Sequence, residues 1–174
     1  MTKRAALSFA LFLASLGVLP SAPAAVNYSV SAGGRYHVDS AVLPDLPYAE
    51  DDWSSLITFD VHEGAGYWQL GVDIGYGAGT NDNVSLVLTP QINLLAEDKG
   101  FVGGLGILGT YIQDDVEGDH WTDVYYQFSL GYDFPISGGL AFGAMAHYPF
   151  ADWGDLGDFD TDDLEYSASL RFRF

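Results

Sequence analysis

The residues in this sequence best suited to chemistry are a histidine and a carboxylate on the last two predicted strands. His147 lies within 140–150 and Glu165 within 164–174, and the alternation of each segment turns the side chain toward the polar face. Because consecutive strands of a hairpin are neighbours, we expect the two side chains to lie close together. An imidazole held by a carboxylate can take a proton from a hydroxyl nucleophile.

Such a pair also needs a hydroxyl beside the imidazole. Two residues after His147 the chain has Pro149, which carries no hydroxyl. Ser129 and Ser167 are predicted to point toward the same face and are the remaining nucleophile candidates. The alternative interpretation of His147 is an ordinary polar residue of a wet interior.

Carboxylates are also concentrated between the strands, in 39–52, 114–120 and 152–163. Asp158, Asp160 and Asp162 alternate as at the start of a calcium loop, since Ca²⁺ and Mg²⁺ prefer carboxylate ligands. The pattern departs from an EF-hand at Asp163 and Ser169. We name the three alternating aspartates as candidate cation ligands, with a solvated rim of mutually repelling charges as the alternative. The sequence predicts no other cofactor.

A further set of charged side chains lies on the polar face of the predicted strands. Buried charges in a narrow interior must be paired, so we predict interior ion pairs. The residues concerned are Arg35, Asp60, Asp73, Asp133, Arg171 and Arg173. Near one end of the strands a second group should converge, formed by Arg35, His37, Asp123, Tyr125, His147 and Glu165. An ion or proton path is the other role that such a set could serve.

These side chains are positioned by segments in which apolar residues recur at every second place. In 67–77, Trp68, Leu70 and Val72 alternate with polar or small residues, as in a strand with one apolar face. The same period predicts eight strands, at 26–36, 53–61, 67–77, 84–94, 101–112, 122–134, 140–150 and 164–174. Connections after the second, fourth and sixth strands are short, whereas most others are longer and acidic. The predicted fold class is therefore all-β, an eight-stranded antiparallel up-and-down barrel.

Two of the strands carry features that alternation does not resolve. Both faces of 101–112 are small or apolar, so the register of this strand stays open. Pro90 lies inside 84–94, and a proline within a strand predicts a bulge or a broken ladder because it has no N–H.

The chain begins with the layout of a secretory signal peptide. Lys3 and Arg4 precede an apolar run, and a small-x-small site follows at 22–24. We predict cleavage of residues 1–24, which leaves 25–174 as the barrel with 4 basic and 24 acidic residues, a net charge of −20 compared with −18 for the whole chain. This balance excludes a basic surface for nucleic acid, and the absence of cysteine excludes disulfides and thiolate metal sites.

The apolar rows of the predicted strands carry no charged residue, so they could face either lipid or a closed core. Aromatic residues favour lipid, because they cluster at both ends of the rows, as at two membrane interfaces. One group is Tyr36, Trp53, Tyr76, Tyr111, Tyr148, Phe150 and Tyr166, and the other is Tyr28, Trp68, Phe101, Tyr132, Phe134, Phe172 and Phe174. We therefore predict a transmembrane barrel with polar rows in the lumen. Side chains fill a lumen of eight strands.

The mature chain resembles the small eight-stranded outer-membrane barrels of bacteria, of which the OmpA barrel domain and OmpX are members. The likeness rests on the export signal, the absence of cysteine, the strand count and a last strand that carries Phe172 and Phe174. It implies the Gram-negative outer membrane as location, membrane lipid and lipopolysaccharide as partners, a monomer, and recognition of Phe172 and Phe174 by the barrel assembly machinery. The implied role is structural or surface-interacting, without catalysis and with the acidic loops outside the cell.

A shorter stretch resembles the lipid A deacylase PagL, whose family uses a serine, a histidine and a glutamate on its late strands. Ala146-His147-Tyr148-Pro149, followed by Glu165, matches the order of the histidine and the glutamate but has proline at the position of the serine. An active or degenerate deacylase that uses His147 and Glu165 on lipid A acyl esters is therefore one alternative function. A narrow, low-conductance channel is another.

Overall fold

A computed structural model describes residues 26–38, 52–76 and 83–174. The strand segments are β1 Asn27–His37, β2 Asp52–Glu63, β3 Gly66–Tyr76, β4 Val84–Asp98, β5 Phe101–Leu108, β6 Tyr111–Asp114, β7 His120–Trp121, β8 Tyr125–Ser137, β9 Leu140–Phe150 and β10 Glu165–Arg173. Two short 3₁₀ turns, Asp155–Asp158 and Thr161–Asp163, lie between β9 and β10. No helix within these ranges is long and apolar enough to cross a membrane. The predicted signal peptide and most of the first acidic segment lie outside the described residues.

The strands close into one antiparallel barrel. Neighbouring strands of the barrel pair with each other, and the first and last strands, β1 and β10, pair from Ser29 opposite Arg173 to Tyr36 opposite Tyr166. β5 and β6 together form the fifth strand of the barrel, and β7 and β8 form the sixth, so the ten segments make eight barrel strands. The predicted all-β, eight-stranded up-and-down fold is confirmed.

Tight turns join the strands at the end of the barrel where β1 begins and β10 ends. Lys99 and Gly100 form a two-residue connection with φ angles of 53° and 89°, and Gly138 and Gly139 form another with φ angles of 56° and 84°. Positive φ at both positions gives the turn a twist that matches the strands, and it favours glycine. We call this end of the barrel the turn end and the opposite end the loop end.

Side chains alternate between the lumen and the outer wall. In β1, for example, Ser29 and Arg35 are buried in the lumen, whereas Tyr28 and Val30 are exposed on the outer wall. Exposed apolar side chains continue around the barrel as a belt that includes Ile57, Leu70, Ile92, Ile107, Leu130 and Leu170. An apolar belt outside and polar side chains inside is the arrangement of a barrel that faces lipid.

The barrel wall is interrupted opposite Pro90. The ladder between β4 and the fifth barrel strand stops at Leu108 and resumes at Tyr111. Pro90 has no N–H to donate to this ladder, and its carbonyl accepts a hydrogen bond from the backbone N–H of Gly109 at 3.3 Å. The broken ladder predicted from the proline is therefore present.

The structure also resolves the register that the pattern of 101–112 leaves open. Before the interruption, Val102 and Leu108 face the lumen, and Phe101 and Ile107 face outward. A strand with small or apolar residues on both faces gives no pattern from which this choice could be read, so only pairing with its neighbours decides it.

Three side chains predicted on the outer apolar rows are buried. Val84 faces the lumen because a bulge in the β4–β6 ladder shifts the register by one residue. Tyr148 and Phe150 belong to the outer wall, but the segment after β9 folds back over them. The ring of Phe159 lies 4.8 Å from that of Tyr148, and the ring of Trp153 lies 5.3 Å from that of Phe150.

Candidate functional site

The polar faces of the strands meet in the lumen, where the charged residues form two clusters, each centred on an arginine. The loop-end cluster consists of Arg35, His37, Ser54, Asp73 and Glu165. The turn-end cluster consists of Ser29, Asp60, His62, Asp133 and Arg171. All ten side chains are buried, so each charge must be compensated by protein groups.

In the loop-end cluster, Arg35 lies between two carboxylates. Its Nη1 is 3.2 Å from Asp73 Oδ2, and its Nη2 is 2.5 Å from Glu165 Oε2. Nη2 also donates a hydrogen bond to Gln127 Oε1 at 3.2 Å. Because Arg35 is only 2% exposed, these partners replace water around its charge.

His37 connects the same glutamate to a serine. Its Nδ1 lies 2.9 Å from Glu165 Oε1, and its Nε2 lies 3.0 Å from Ser54 Oγ. An ionised carboxylate can only accept, so Nδ1 carries the imidazole proton. In the neutral ring Nε2 is then an acceptor, and the Ser54 hydroxyl donates to it. A hydroxyl, an imidazole and a carboxylate in this order form the arrangement that activates a nucleophile.

In the turn-end cluster, Arg171 also lies between two carboxylates. Its Nε is 3.2 Å from Asp60 Oδ2, and its Nη1 donates to Asp133 Oδ2. The guanidinium carbon lies 5.5 Å from the ring centroid of Tyr67, within cation–π range. The predicted lumen residues Asp60, Asp133 and Arg171 thus form one connected ion-pair group.

The serine and the histidine of the turn-end cluster stand in the other order. Ser29 Oγ donates to Asp60 Oδ2 at 2.7 Å and lies 2.9 Å from His62 Nε2. A hydroxyl can donate only one hydrogen bond. The Ser29 hydroxyl donates to Asp60, so its oxygen accepts a hydrogen bond from His62. Here the serine separates the histidine from the carboxylate, and His62 is not placed to act as a base.

An amide layer made of Gln69, Gln91, Asn93 and Gln127 joins the two clusters. Gln127 Nε2 donates to Gln91 Oε1 at 2.6 Å. Gln91 donates to Asp73 at 3.1 Å, and Gln69 donates to Asp60 at 3.0 Å. Hydrogen-bonded side chains therefore connect the loop-end cluster to the turn-end cluster through the lumen.

Within the described residues, no hydrogen bond joins the predicted pair of His147 and Glu165, although they stand opposite each other in the β9–β10 ladder. The imidazole lies between two hydroxyls, with Nδ1 2.9 Å from Ser129 Oγ and Nε2 2.8 Å from Ser167 Oγ. Both Glu165 oxygens are engaged by residues of β1. Pairing of the first and last strands thus gives Glu165 partners that its own hairpin does not supply.

Sequence reasoning placed His37 near this site but missed Ser54. Alternation along β2 turns Ser54 inward, and the β1–β2 ladder places it opposite Arg35, two positions along β1 from His37 and on the same face. A search for hydroxyls on the strand next to each inward histidine would have found it.

Two residues predicted in the lumen lie elsewhere. The side chain of Arg173 is 41% exposed and pairs with Glu97 at 2.6 Å, because it stands at the last position of β10, at the rim. With His62 and Tyr67, this pair lines a cavity of about 150 Å³ at the turn end. Asp123 is exposed, because it lies between β7 and β8, where the regular strand that turns alternate side chains into the lumen is interrupted.

In the described part of the chain, no three His, Asp or Glu side chains are arranged to hold a metal ion. Asp160 Oδ1 accepts a hydrogen bond from the backbone N–H of Asp162 at 3.1 Å and so caps a short 3₁₀ turn. The side chain of Asp158 lies outside what the structure describes. Cation binding by Asp158, Asp160 and Asp162 therefore stays a prediction.

The acidic segment 114–120 is folded around one of its own carboxylates. The backbone N–H groups of Val116 and Glu117 donate to Asp114 Oδ1 at 2.7 and 2.9 Å. This loop is therefore ordered by its own backbone.

The predicted assembly signal lies on the strand that closes the barrel. Phe172 and Phe174 are 47% and 62% exposed on the outer wall, and their rings stack at 6.2 Å. The backbone of Phe174 exchanges hydrogen bonds with Tyr28 at 2.9 and 3.1 Å. Recognition of these two residues by assembly machinery stays a prediction.

No protein-family model matches the chain, and no curated protein matches its sequence. Among solved structures, the chain is similar to the crystal structure of Neisserial surface protein A (NspA), with 10% identity and a TM-score of 0.48. The match covers 86% of this chain and 96% of that chain. At this level of similarity, nothing about partners or activity follows.

Proposed function

We propose that this protein is a small outer-membrane barrel with a structural or surface-interacting role and a closed lumen. The observation that carries the proposal is the contrast between the two faces of the same strands. Leu130 and Leu170 on the outer wall are 68% and 54% exposed, whereas Arg35 and Arg171 are buried in the lumen. A soluble barrel keeps its apolar rows inside, so an apolar wall of this extent calls for lipid.

The predicted signal peptide 1–24 supports export, and the short turns would then face the periplasm. The acidic loops would face outward, toward anionic lipopolysaccharide. Because two anionic surfaces repel each other, Ca²⁺ or Mg²⁺ would bridge them. Addition of a chelator to the protein in lipopolysaccharide-containing vesicles should lower its thermal midpoint, and an unchanged midpoint would remove the bridging cation from the proposal.

Tryptophan fluorescence tests the membrane location directly. Trp53 and Trp68 lie on the outer wall toward opposite ends, at 60% and 55% exposure, whereas Trp121 lies on β7 near the acidic loop. Variants that keep one tryptophan each would be reconstituted into vesicles with brominated acyl chains. We expect quenching of Trp53 and Trp68 to exceed that of Trp121. Equal quenching, together with failure of the protein to enter detergent micelles, would favour a soluble barrel.

A closed lumen predicts that the protein does not conduct. The amide layer and both ion-pair clusters occupy the space between the strands, and eight strands leave little more. Planar-bilayer recording of the folded protein should therefore show no steady current. A reproducible conductance that changes with a substitution of Gln127 would make the narrow channel the better description.

A PagL-like lipid A deacylase that uses His147 and Glu165 is the alternative function. The contacts of His147 with Ser129 and Ser167 favour it, because a hydroxyl beside the imidazole is what the local sequence lacks. Lipid A from cells that express the protein should keep all its acyl chains if the structural role is correct. Loss of a chain that His147→Ala abolishes would instead establish the deacylase.

We further propose that Phe172 and Phe174 direct assembly of the barrel into the outer membrane. Phe174→Ala should lower the amount of folded barrel in the outer membrane while the periplasmic precursor accumulates. Phe134→Ala is the matched control, since Phe134 is a similarly exposed aromatic residue of the outer wall near the same end. Equal losses in the two variants would indicate a general effect of the belt.

A further inference from the structure

We propose that Ser54, His37 and Glu165 form a nucleophilic site at the loop end of the lumen that cleaves small carboxylic esters. This goes beyond the structural role proposed above. It also differs from the PagL-like alternative, which assigns no role to Ser54 or His37.

The geometry of the three groups has the order that acyl transfer requires. Ser54 Oγ lies 3.0 Å from His37 Nε2, and His37 Nδ1 lies 2.9 Å from Glu165 Oε1. The second oxygen of the glutamate is 2.5 Å from Arg35 Nη2. Arg35 therefore fixes the carboxylate, the carboxylate fixes the tautomer of the imidazole, and the imidazole accepts the proton of the serine hydroxyl. Glu165 and Arg35 are positioning residues in this arrangement.

The place of the site limits what can reach it. His37 ends β1, Glu165 begins β10, and Ser54 is the third residue of β2, so all three lie at the loop end of their strands. Their exposed fractions are 4%, 6% and 4%. The lumen below is filled by Arg35 and the amide layer. A substrate would therefore enter from the loop end and present a small acyl group.

The reaction balances with water as the second substrate. Ser54 Oγ bonds to the ester carbonyl carbon while its proton moves to His37 Nε2. The carbon–oxygen bond to the alcohol breaks, and the alcohol leaves with that proton. Water then attacks the acyl-serine and gives a proton to His37, which returns it to Ser54 as the carboxylic acid leaves. Glu165 stays ionised and stabilises the imidazolium formed in each half.

The other lumen serines that contact histidine lack one part of this arrangement. The Ser29 hydroxyl donates its hydrogen bond to Asp60, so its proton does not point to His62. Ser129 and Ser167 flank His147, but no carboxylate fixes the tautomer of that ring among the contacts that the structure describes. These serines are therefore internal controls for the reactivity of Ser54.

Phenylmethylsulfonyl fluoride is a small probe for the site. With the folded protein in micelles, Ser54 Oγ should bond to sulfur as fluoride leaves, and peptide mass spectrometry should find the modification at Ser54. Ser29 and Ser129, in the same digest, should stay unmodified. Equal modification of Ser29 and Ser54, or none at Ser54, would overturn the proposal.

Hydrolysis of 4-nitrophenyl acetate supplies the second test. Ser54→Ala should reduce the rate to that of buffer, whereas Ser29→Ala should leave it unchanged. Glu165→Gln should lower kcat by about 10³-fold or more with KM unchanged, because the imidazole loses its fixed tautomer. If the Ser54→Ala variant hydrolyses the ester as fast as the wild-type protein does, the proposal is overturned. If Glu165→Gln does not fold, as judged by its heat-modifiable migration, Ser54→Ala and the probe decide. A barrel that enters lipid without reacting rejects this site and leaves the structural role standing.

Discussion

The two ends of the lumen hold the same kinds of side chain in a different order. Each cluster has one arginine between two carboxylates, one histidine and one serine. At the loop end the order is Glu165, His37, Ser54, with the imidazole in the middle. At the turn end Ser29 stands between Asp60 and His62.

Strand register produces this difference. Ser29 is directly opposite Asp60 in the β1–β2 ladder, so its hydroxyl donates to that carboxylate and not to His62. Ser54 is opposite Arg35, whose guanidinium cannot accept a hydrogen bond, and its hydroxyl contacts the ring of His37. The same residue types therefore direct the serine hydroxyl to a carboxylate at one end and to an imidazole at the other, because a hydroxyl can donate only one hydrogen bond.

Removal of the central arginine should have the largest effect, and it should be larger at the turn end. Arg171→Met leaves Asp60 and Asp133 without a cation and should lower the free energy of unfolding by about 3–5 kcal/mol. Arg35→Met should cost less, because Asp73 keeps its hydrogen bond from Gln91 and Glu165 keeps its contact with His37, whereas Asp133 has no side-chain hydrogen-bond partner besides Arg171 among the described residues. Urea titration in micelles, followed by tryptophan fluorescence, measures both.

The matched control for this prediction neutralises the whole group. Arg171→Met combined with Asp60→Asn and Asp133→Asn should recover most of the loss, since no unpaired charge is left buried. If the triple variant is as unstable as Arg171→Met alone, the loss comes from packing.

Disruption of the amide layer that joins the two clusters should have the next largest effect. A Cβ on Gly106 would collide with the Asn93 side chain in the amide layer. Gly106→Ala should therefore cost about 1–3 kcal/mol of unfolding free energy. Gly109→Ala is the control, because nothing lies within 4 Å of a Cβ at that position. Similar losses in the two variants would show that backbone freedom, not the layer, is responsible.

The two histidines should differ in a smaller but measurable way. His37→Leu leaves the buried Ser54 and Glu165 each short of a partner and should cost about 1–3 kcal/mol. His62→Leu leaves the Ser29–Asp60 hydrogen bond in place and should cost about 1 kcal/mol. Thermal midpoints of the two variants in the same detergent provide the comparison. A larger loss for His62→Leu would contradict the assigned order of groups.

The smallest effect is expected at the rim. Arg173 and Glu97 are partly exposed, so Arg173→Ala should cost less than about 1 kcal/mol, and the loss should shrink further in high salt. The Arg171→Met loss should persist at the same salt concentration, because that pair is buried. If Arg173→Ala lowers the free energy of unfolding as much as Arg171→Met does, the pair of Arg173 and Glu97 behaves as a buried ion pair of the lumen.

Much of the barrel wall was predictable because the alternation within each strand shows which residues share a face. In β1, β2 and β3 the period-two pattern separated the lumen from the outer wall, and in β10 it did so as far as Arg171, before Arg173 at the rim. It failed where a contact outside the strand intervened. A bulge turned Val84 inward, and the loop after β9 covered Tyr148 and Phe150. Neither event leaves a trace in the alternation of the strand itself.

The site was predictable only in its parts. The inward position of His37, His147 and Glu165 followed from alternation, and proximity within a hairpin suggested that the last two would pair. The Glu165 carboxylate instead contacts β1, where it has two partners, the guanidinium of Arg35 and the imidazole of His37. His147 would have supplied only one imidazole. That choice depends on closure of the barrel, which joins residues more than a hundred positions apart in the chain, as in the contact of His37 with Glu165 at a separation of 128.

The sequence by itself determined which side chains share a face and that one face is apolar, because alternation is a local property of each strand. It also determined the excess of acid, which lies in the loops and the lumen. Only the tertiary structure decided which inward groups touch. Hydrogen-bond partners in a barrel are set by register and closure, and both depend on pairing between distant strands. The difference between a plug at Ser29 and a nucleophile at Ser54 is of this second kind.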